Sequence, residues 1–148
     1  MAKSKTIAEY KKWIWQKYVS PYIRLENSKN GYVKCFTCGI IKPIKEIHAG
    51  HWRHGNTKRT YFFEKNIQPQ CMGCNYFKVG ARDIYAVKLE EKYGYGILQE
   101  IIKMDDPKFL WTKKKLKAVE EEYKQKLNDI QNDYRIRGKN NGKQECPY

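Results

Sequence analysis

The clearest chemical signal in this chain comes from four cysteines and three histidines. The cysteines form two Cys-x-x-Cys pairs, and all three histidines lie between the pairs. Four thiolates in two such pairs can bind one zinc ion tetrahedrally, whereas free buried thiols would have no reason to share this spacing. We therefore predict a structural zinc site whose ligands are Cys35, Cys38, Cys71 and Cys74.

The stretch between the two pairs is longer than the connection of a compact four-cysteine ribbon. It contains His48, His51 and His54, and Asn75 follows the last cysteine directly. A zinc ion would hold a strand and the start of a helix together in a region too small for a core of its own. The pattern thus predicts one metal for folding and a separate place for chemistry, built from histidine and amide side chains.

The composition favours a polyanionic partner. The 148 residues contain 30 Lys and Arg against 16 Asp and Glu, a net charge of +14, and the sequence pI is near 9.5. Nucleic acid is the leading candidate for such a charge, and the alternative is a soluble protein that is merely rich in lysine. The apolar content of 41% allows a core for one domain and an appended helix.

The sequence indicates a cytoplasmic protein with no membrane partner. It has no stretch near the roughly 18 to 20 apolar residues of a spanning helix, and its N-terminus lacks the apolar core of a signal peptide. Four cysteines with metal-ligand spacing, and Cys146 left over in a polar tail, agree with a reducing compartment.

Hydrophobic periodicity and turn residues predict the elements around the histidine segment. A first helix should run from residue 6 to about 25, because Thr6 and Glu9 have capping-box spacing, and Pro21 should kink or end it. Asn30-Gly31 marks a turn. Strands are predicted at 32–36 and 46–52, with a basic loop at 53–65. Helices are predicted at 72–78, 83–93 and 97–104. The apolar positions of the helix at 83–93 are Ile84, Tyr85, Val87 and Leu89.

A long C-terminal helix should begin at Asp106-Pro107, an N-cap followed by proline, and run to about Arg135. It carries a spaced apolar stripe of Leu116, Val119, Tyr123, Leu127, Ile130 and Tyr134. The stripe fits packing on the domain core, and it also fits the seam of a coiled-coil-like dimer. The tail from Gly138 is rich in Gly, Asn and Lys and is predicted to be disordered.

The residues around the second cysteine pair form a composite pattern. It consists of Ala49-Gly50-His51, Phe63, Asn66, Gln70-Cys71-x-x-Cys74-Asn75, Gly80, Tyr85, Leu89 and Tyr93-Gly94. This pattern resembles the phage recombination proteins of the NinG (Rap) type, within the HNH or His-Me finger nucleases. The resemblance covers roughly residues 32 to 95, with both terminal helices outside it.

The resemblance implies an α+β fold in which a small zinc-bound ββα-metal core, treble-clef-like as in HNH proteins, is flanked by an N-terminal helix and a long C-terminal helix. The chain would then divide into the N-terminal helix (1–30), the core (31–95), a helical extension for a dimer or DNA contact (96–137) and a disordered basic tail (138–148). The implied activity is metal-dependent endonucleolytic hydrolysis of branched DNA, a Holliday junction or D-loop, during phage recombination in the bacterial host cytoplasm.

The resemblance also implies roles for single residues. His51 matches the general base that deprotonates the attacking water, and Asn75 matches a metal ligand at the start of a helix. Asn66 matches the middle Asn of the motif, which more often braces the loop than touches metal. Many HNH enzymes carry an Asp ligand directly before the base histidine, where this chain has Gly50. We expect His48, three residues before His51, to supply the missing ligand.

General chemistry supports a nuclease as well. An unperturbed histidine has a pKa near 6.5 and is a suitable base at pH 7. A hard ion, Mg²⁺ or Mn²⁺, would bring positive charge to the phosphate in a site poor in carboxylates. Contacts with the DNA backbone are predicted for Arg53, His54, Lys58, Arg59 and Lys78.

Structural roles compete with each assignment. His51 could be a spare zinc ligand or a packed histidine, Asn75 could cap a helix, and the loop cations could be solvated. At the level of function, the alternatives are a non-catalytic zinc-dependent nucleic-acid binding module and an HNH homing or restriction nuclease with sequence preference. Because a junction resolvase cuts two strands, a homodimer is also expected.

Overall fold

The structure, a computed structural model, describes residues 4–55 and 58–141, with side chains described up to residue 136. The chain forms two compact units. One unit contains the two ends of the chain, up to Tyr22 and from Trp111 onward, and the other contains Ile23–Leu110. The first and last helices therefore belong to the same unit, although they are far apart in sequence.

The N-terminal helix continues through Pro21 and does not end there. Thr6 and Glu9 make the predicted capping box. Just before the proline the helix widens into a π-helical turn, in which the N–H of Ser20 donates to the carbonyl of Trp15. Because proline has no N–H and its ring clashes with the preceding turn, this wider turn lets the helix pass the proline. The three consecutive parts are α1 (Ile7–Ile14), the π-helical turn (Trp15–Val19) and α2 (Ser20–Glu26).

The long C-terminal helix, α5, spans Lys113–Asn141, so its predicted start at Asp106 was wrong. The Asp106 carboxylate accepts the N–H of Lys108, two residues on, at 2.8 Å, and this closes only a local turn. The hydroxyl of Thr112 accepts the N–H of Lys115 at 3.2 Å and makes the cap instead.

The apolar stripe of α5 packs within the unit formed by the chain ends. Leu116, Tyr123 and Leu127 are buried, and the Tyr123 ring packs edge-on against Tyr22 with centroids 5.8 Å apart. Val119, Ile130 and Tyr134 are half-buried. The helix includes residues 138–141, which were predicted to begin the tail, whereas 142–148, with Cys146, lie outside the described residues.

In the second unit a small antiparallel sheet carries the first cysteine pair. Its strands follow the order β1 (Ser28–Lys29), β2 (Tyr32–Lys34) and β3 (Ile41–Pro43). The predicted turn at Asn30-Gly31 joins β1 to β2, with φ values of 54° and 79°. Positive φ at both positions matches the right-handed twist of a hairpin and suits Asn-Gly. Cys35 and Cys38 lie between β2 and β3.

Two further strands carry the histidine segment. β4 (Ile47–His51) pairs with β5 (Ile67–Cys71) in an uninterrupted antiparallel register, with Gly50 opposite Gln68 and His48 opposite Gln70. The strand predicted at 46–52 is therefore confirmed. The loop between them contains two 3-10 turns, Arg59–Phe62 and Glu64–Asn66.

Helices close the second unit after the second cysteine pair. The segment predicted as helix 72–78 forms a single π-helical turn (Gly73–Phe77). It is followed by α3 (Arg82–Tyr93) and α4 (Ile97–Lys103), where helices were expected. Tyr85 and Leu89 of α3 are fully buried, while Ile84 and Val87, also predicted as apolar positions, are 51% and 56% exposed. Only the i, i+4 pair faces the core.

The fold is mixed α+β, with an N-terminal helix, two small sheets and a long C-terminal helix, as predicted at that level. Within residues 4–55 and 58–141, none of the helices combines the length and apolar character that a membrane span requires.

Candidate active site

The two cysteine pairs meet in space as predicted. The Sγ atoms of Cys35, Cys38, Cys71 and Cys74 all lie within 4.8 Å of one another, and those of Cys38 and Cys71 are 3.8 Å apart. Four sulfurs at about 2.3 Å from a tetrahedral zinc ion would be about 3.8 Å apart, so the cluster has the size that zinc requires. The four cysteines can therefore hold a metal ion such as zinc.

Hydrogen bonds favour the thiolate form of Cys35. The N–H of Cys71 donates to its Sγ at 3.3 Å, and the hydroxyl of Thr37 lies 3.4 Å from the same atom. Burial raises the pKa of Cys35, but these hydrogen bonds outweigh burial and lower that pKa to about 6. Because the thiolate is the ligand form of cysteine, this environment suits metal binding.

His51 ends β4 with its ring held by the following loop. Its Nε2 lies 2.8 Å from the main-chain carbonyl oxygen of Tyr61, and the two rings stack with centroids 5.1 Å apart. A carbonyl can only accept, so Nε2 carries the proton in the neutral ring, and the basic lone pair is on Nδ1. The loop thus selects one tautomer.

The environment of His51 keeps its ring neutral at pH 7. Burial, with a smaller contribution from the neighbouring His54, lowers the pKa of His51 to about 4, although the hydrogen bond to the Tyr61 carbonyl acts in the opposite direction. The ring is half-buried, and a charged imidazolium would lose much of its hydration there.

Asn75 reaches β4 at the residue before His51. Gly50 is buried, and a Cβ atom built on it would lie 2.7 Å from Oδ1 of Asn75 and would overlap Oε1 of Gln70. A side chain at residue 50, including the Asp found in many HNH enzymes, would require both amide side chains to shift. Glycine fits beside them without such a shift.

Asn66 holds the loop through three hydrogen bonds. It is fully buried. Its Oδ1 accepts the N–H of Arg53 at 2.8 Å, and its Nδ2 donates to the carbonyls of Arg53 and Thr60, both at 3.0 Å. Because Thr60 precedes Tyr61, Asn66 helps to place the carbonyl that holds His51.

His48 is exposed and lies opposite Gln70 in the strand pair. Side chains alternate along a strand, so His48 shares a face with Gly50, while His51 points to the other face. The ligand role expected for His48 stays a prediction.

Two of the cations predicted to contact DNA form salt bridges within the chain. The guanidinium of Arg53 lies 2.7 Å from the Asp105 carboxylate, and the ammonium of Lys58 lies 3.5 Å from the same group. The hydrogen bond from Arg53, with the nearby positive charges, lowers the pKa of Asp105. Sequence analysis missed Asp105, because no motif links it to a loop so distant in the chain.

The other predicted DNA-contacting residues are exposed on the surface. Arg59, Lys78 and His54 are exposed. The His54 ring is 6.4 Å from that of His51, and burial together with the charge of Arg82 lowers its pKa. Arg82, the first residue of α3, was also missed, since it lies outside the motif and only the folded chain brings it near His54.

A four-cysteine cluster at the ends of strands from two small sheets defines a small α+β protein that can hold a metal ion. A family model described as Bacteriophage Lambda NinG protein matches residues 1–133, and the chain belongs to this NinG family. The match includes the N-terminal helix and most of α5, which the resemblance of residues 32 to 95 left outside.

Several curated relatives are named Protein ninG. The relative from Salmonella phage P22 is 34% identical over 116 residues, which is 78% of this chain and 55% of the relative. The relatives from Escherichia phage lambda and Escherichia phage 933W are 32% and 30% identical over 118 residues, 79% of this chain and 55% and 56% of the relatives. The chain thus spans about half the length of these relatives. No solved structure matches it.

Proposed function

We propose that this protein is a metal-dependent, structure-selective DNA endonuclease of the HNH or His-Me finger type that acts on branched DNA in phage recombination. One observation carries the proposal: burial keeps the His51 ring neutral, and its Nε2 is held by the Tyr61 carbonyl, so that Nδ1 is the basic nitrogen. Phosphodiester hydrolysis needs such a base together with a metal ligand, for which Asn75 is the candidate.

In this proposal His51 takes a proton from water. Its Nδ1 lone pair accepts the proton as the water oxygen bonds to phosphorus, while Nε2 keeps its hydrogen bond to the Tyr61 carbonyl. The phosphorus–oxygen bond to the leaving sugar breaks, and the leaving oxygen takes a proton from solvent. The Tyr61 carbonyl stabilises the imidazolium that forms, because it accepts from the protonated ring.

Asn75 would hold the catalytic ion, Mg²⁺ or Mn²⁺, because a carboxamide oxygen suits a hard divalent cation. When bound, this ion supplies positive charge to the phosphate and the leaving oxygen. The zinc cluster has a separate role, since Asn75 directly follows the ligand Cys74. The cluster fixes the turn that aims Asn75 at β4.

Charge and exposed aromatic rings support a branched substrate. Arg82, His54, Arg59 and Lys78 offer phosphate contacts, which supply affinity without reading sequence. Next to Asn75, the side chains of Tyr76 and Phe77 are 76% and 73% exposed. Unpaired bases at a junction could stack on such rings, whereas a paired duplex offers few free base faces. A homodimer in the host cytoplasm that makes two cuts completes the proposal.

One observation favours a non-catalytic zinc-dependent nucleic-acid binding module. A histidine with a pKa of about 4 is a weaker base than the near-neutral pKa that general base catalysis favours. A phosphate next to the ring raises that pKa, because the anion stabilises the imidazolium. The third alternative, a sequence-preferring HNH nuclease, predicts a defined cut site in linear DNA.

The test is cleavage of a panel of DNAs by the wild type and His51→Ala, with zinc measured on the same samples. The panel contains a four-way junction, a D-loop, a plasmid and linear duplexes, each with Mg²⁺ or Mn²⁺. We expect the wild type to cut branched DNA, and His51→Ala to bind it with little change but not to cut. No cleavage of any DNA in either metal would favour the binding module.

A further inference from the structure

A buried amide oxygen without a protein partner lies beside the candidate active site. Gln70, on β5, is fully buried, and among the described residues its Oε1 accepts no hydrogen bond. Buried carbonyl oxygens nearly always have a partner, in the protein or in a bound water or ion. An unpartnered oxygen at this position therefore points to a ligand.

The orientation of the Gln70 amide is fixed by its other end. Nε2 donates to the carbonyl oxygen of Gly80 at 2.9 Å and to the hydroxyl of Thr37 at 3.2 Å. Because a carbonyl can only accept, the nitrogen must face Gly80. Oε1 is consequently the atom that faces Gly50.

A second amide oxygen approaches the same place. The position where a Cβ of Gly50 would lie is close to both Oε1 of Gln70 and Oδ1 of Asn75. Both oxygens carry partial negative charge, so a cation between them would stabilise this arrangement. One oxygen comes from the residue before the ligand Cys71, and the other from the residue after the ligand Cys74.

We infer that Oε1 of Gln70 and Oδ1 of Asn75 together bind the divalent catalytic ion, and that Gln70 replaces the acidic ligand that Gly50 cannot supply. This inference rests on the proposed function. Carboxamide oxygens are ligands that Mg²⁺ and Mn²⁺ accept, and ligand charge tunes their affinity. Two neutral ligands bind the ion weakly until the phosphate of the DNA adds its charge.

Mn²⁺ binding to the zinc-loaded full chain without DNA tests this inference apart from catalysis. Free Mn²⁺ is measured by electron paramagnetic resonance during a titration. Gln70→Glu and Asn75→Asp each turn a neutral oxygen into a charged one, and each should tighten Mn²⁺ binding on the order of tenfold. Gln70→Ala should weaken it by a similar factor.

Gln68→Glu is the matched control. Gln68 is also buried, lies on the same strand and face, and has its amide engaged by Tyr93 and Lys92. The same substitution there should leave Mn²⁺ affinity unchanged. Zinc content and thermal melting show which variants fold. If a Gln70 variant loses zinc, the Mn²⁺ affinity of Asn75→Asp is the measurement that tests the inference.

Unchanged Mn²⁺ affinity in the zinc-loaded Gln70 and Asn75 variants would overturn the inference. So would a lower melting temperature of Asn75→Asp with unchanged Mn²⁺ affinity, since the Asn75 amide would then donate to Gln70. If the affinities shift as expected but the wild type cuts no DNA, the nuclease proposal fails and the ion site stands. If the wild type cuts DNA and the affinities do not shift, the ion site fails and the nuclease proposal stands.

Discussion

The Nε2 atom of His51 lies 2.8 Å from the main-chain carbonyl oxygen of Tyr61, and this contact ties the candidate base to a loop that is distant from the zinc cluster in sequence. The contact fixes the proton on Nε2 and leaves Nδ1 as the basic nitrogen. The cysteines hold the strand pair that carries His51, whereas the loop carbonyl of Tyr61 determines which ring nitrogen of His51 is protonated. We therefore expect that mutation can separate zinc binding from the proposed base function.

The pKa of His51 predicts an unusual pH profile. The pKa is about 4 in the fold, because burial disfavours the charged ring, against 6.5 for an ordinary histidine. The base form is thus already present well below pH 6.5, and kcat/KM, which reports the free enzyme, should be nearly flat from pH 7.5 to about 5.5. Cleavage of a junction is measured across this range, with zinc content followed at each pH. A fall centred near pH 6.5 in protein that retains its zinc would contradict this prediction.

Asn66→Ala should reduce cleavage without removing zinc. The substitution leaves the N–H of Arg53 and two carbonyls without partners, which costs about 1 to 3 kcal/mol of stability for each group that water cannot reach. It also loosens the turn that carries the Tyr61 carbonyl, so kcat should fall more than DNA affinity. Asn66→Asp retains the acceptor for Arg53 and should have a smaller effect. Equal kcat in the wild type and Asn66→Ala would exclude this positioning role.

Gly50→Ala should destabilise the fold. The added methyl would overlap the Gln70 amide and crowd Asn75, and overpacking of this kind costs about 1 to 3 kcal/mol. Gly73→Ala is the control, since its Cβ would meet only Cys71 Sγ at 3.8 Å, an ordinary contact. The free energies of unfolding are compared by denaturant titration at constant zinc. Equal stability of Gly50→Ala and the wild type would mean that the two amides can move aside.

Asp105→Asn should increase the salt dependence of DNA binding. Asp105 holds Arg53 and Lys58, and its neutralisation releases both cations for phosphate contacts. The slope of log K against log salt should steepen by about 1 to 2, because each new phosphate contact adds close to one unit. Asp106→Asn changes the net charge equally, but its carboxylate accepts from the Lys108 N–H, so the slope should stay near that of the wild type. Equal slopes for the two variants would show that the salt dependence of DNA binding follows the net charge alone.

The sequence alone predicted those features of the fold that depend on residue spacing over a short stretch. The cysteine ligands follow from two Cys-x-x-Cys pairs, the capping box from Thr6 and Glu9, and the hairpin turn from Asn30-Gly31. Each of these signals lies within a few residues, so the physics that produces it is visible in a short window.

Contacts between distant segments could not be predicted. The start of α5 depends on which side chain closes a cap, and Thr112 does so while Asp106 closes only a turn. The partners of Arg53 depend on Asp105, a residue with no motif of its own. The space at Gly50 is filled by Gln70, whose role is apparent only once β4 and β5 pair.

The role of His51 as the general base is tested by single-turnover cleavage of a four-way junction in Mg²⁺ or Mn²⁺. The wild type and His51→Ala are compared at equal zinc content, with bound DNA measured in parallel. We expect the wild type to cut the bound junction, and His51→Ala to bind it equally but to cut at least about a hundredfold more slowly, the scale of general base catalysis. Equal cleavage rates for the two proteins would contradict this role.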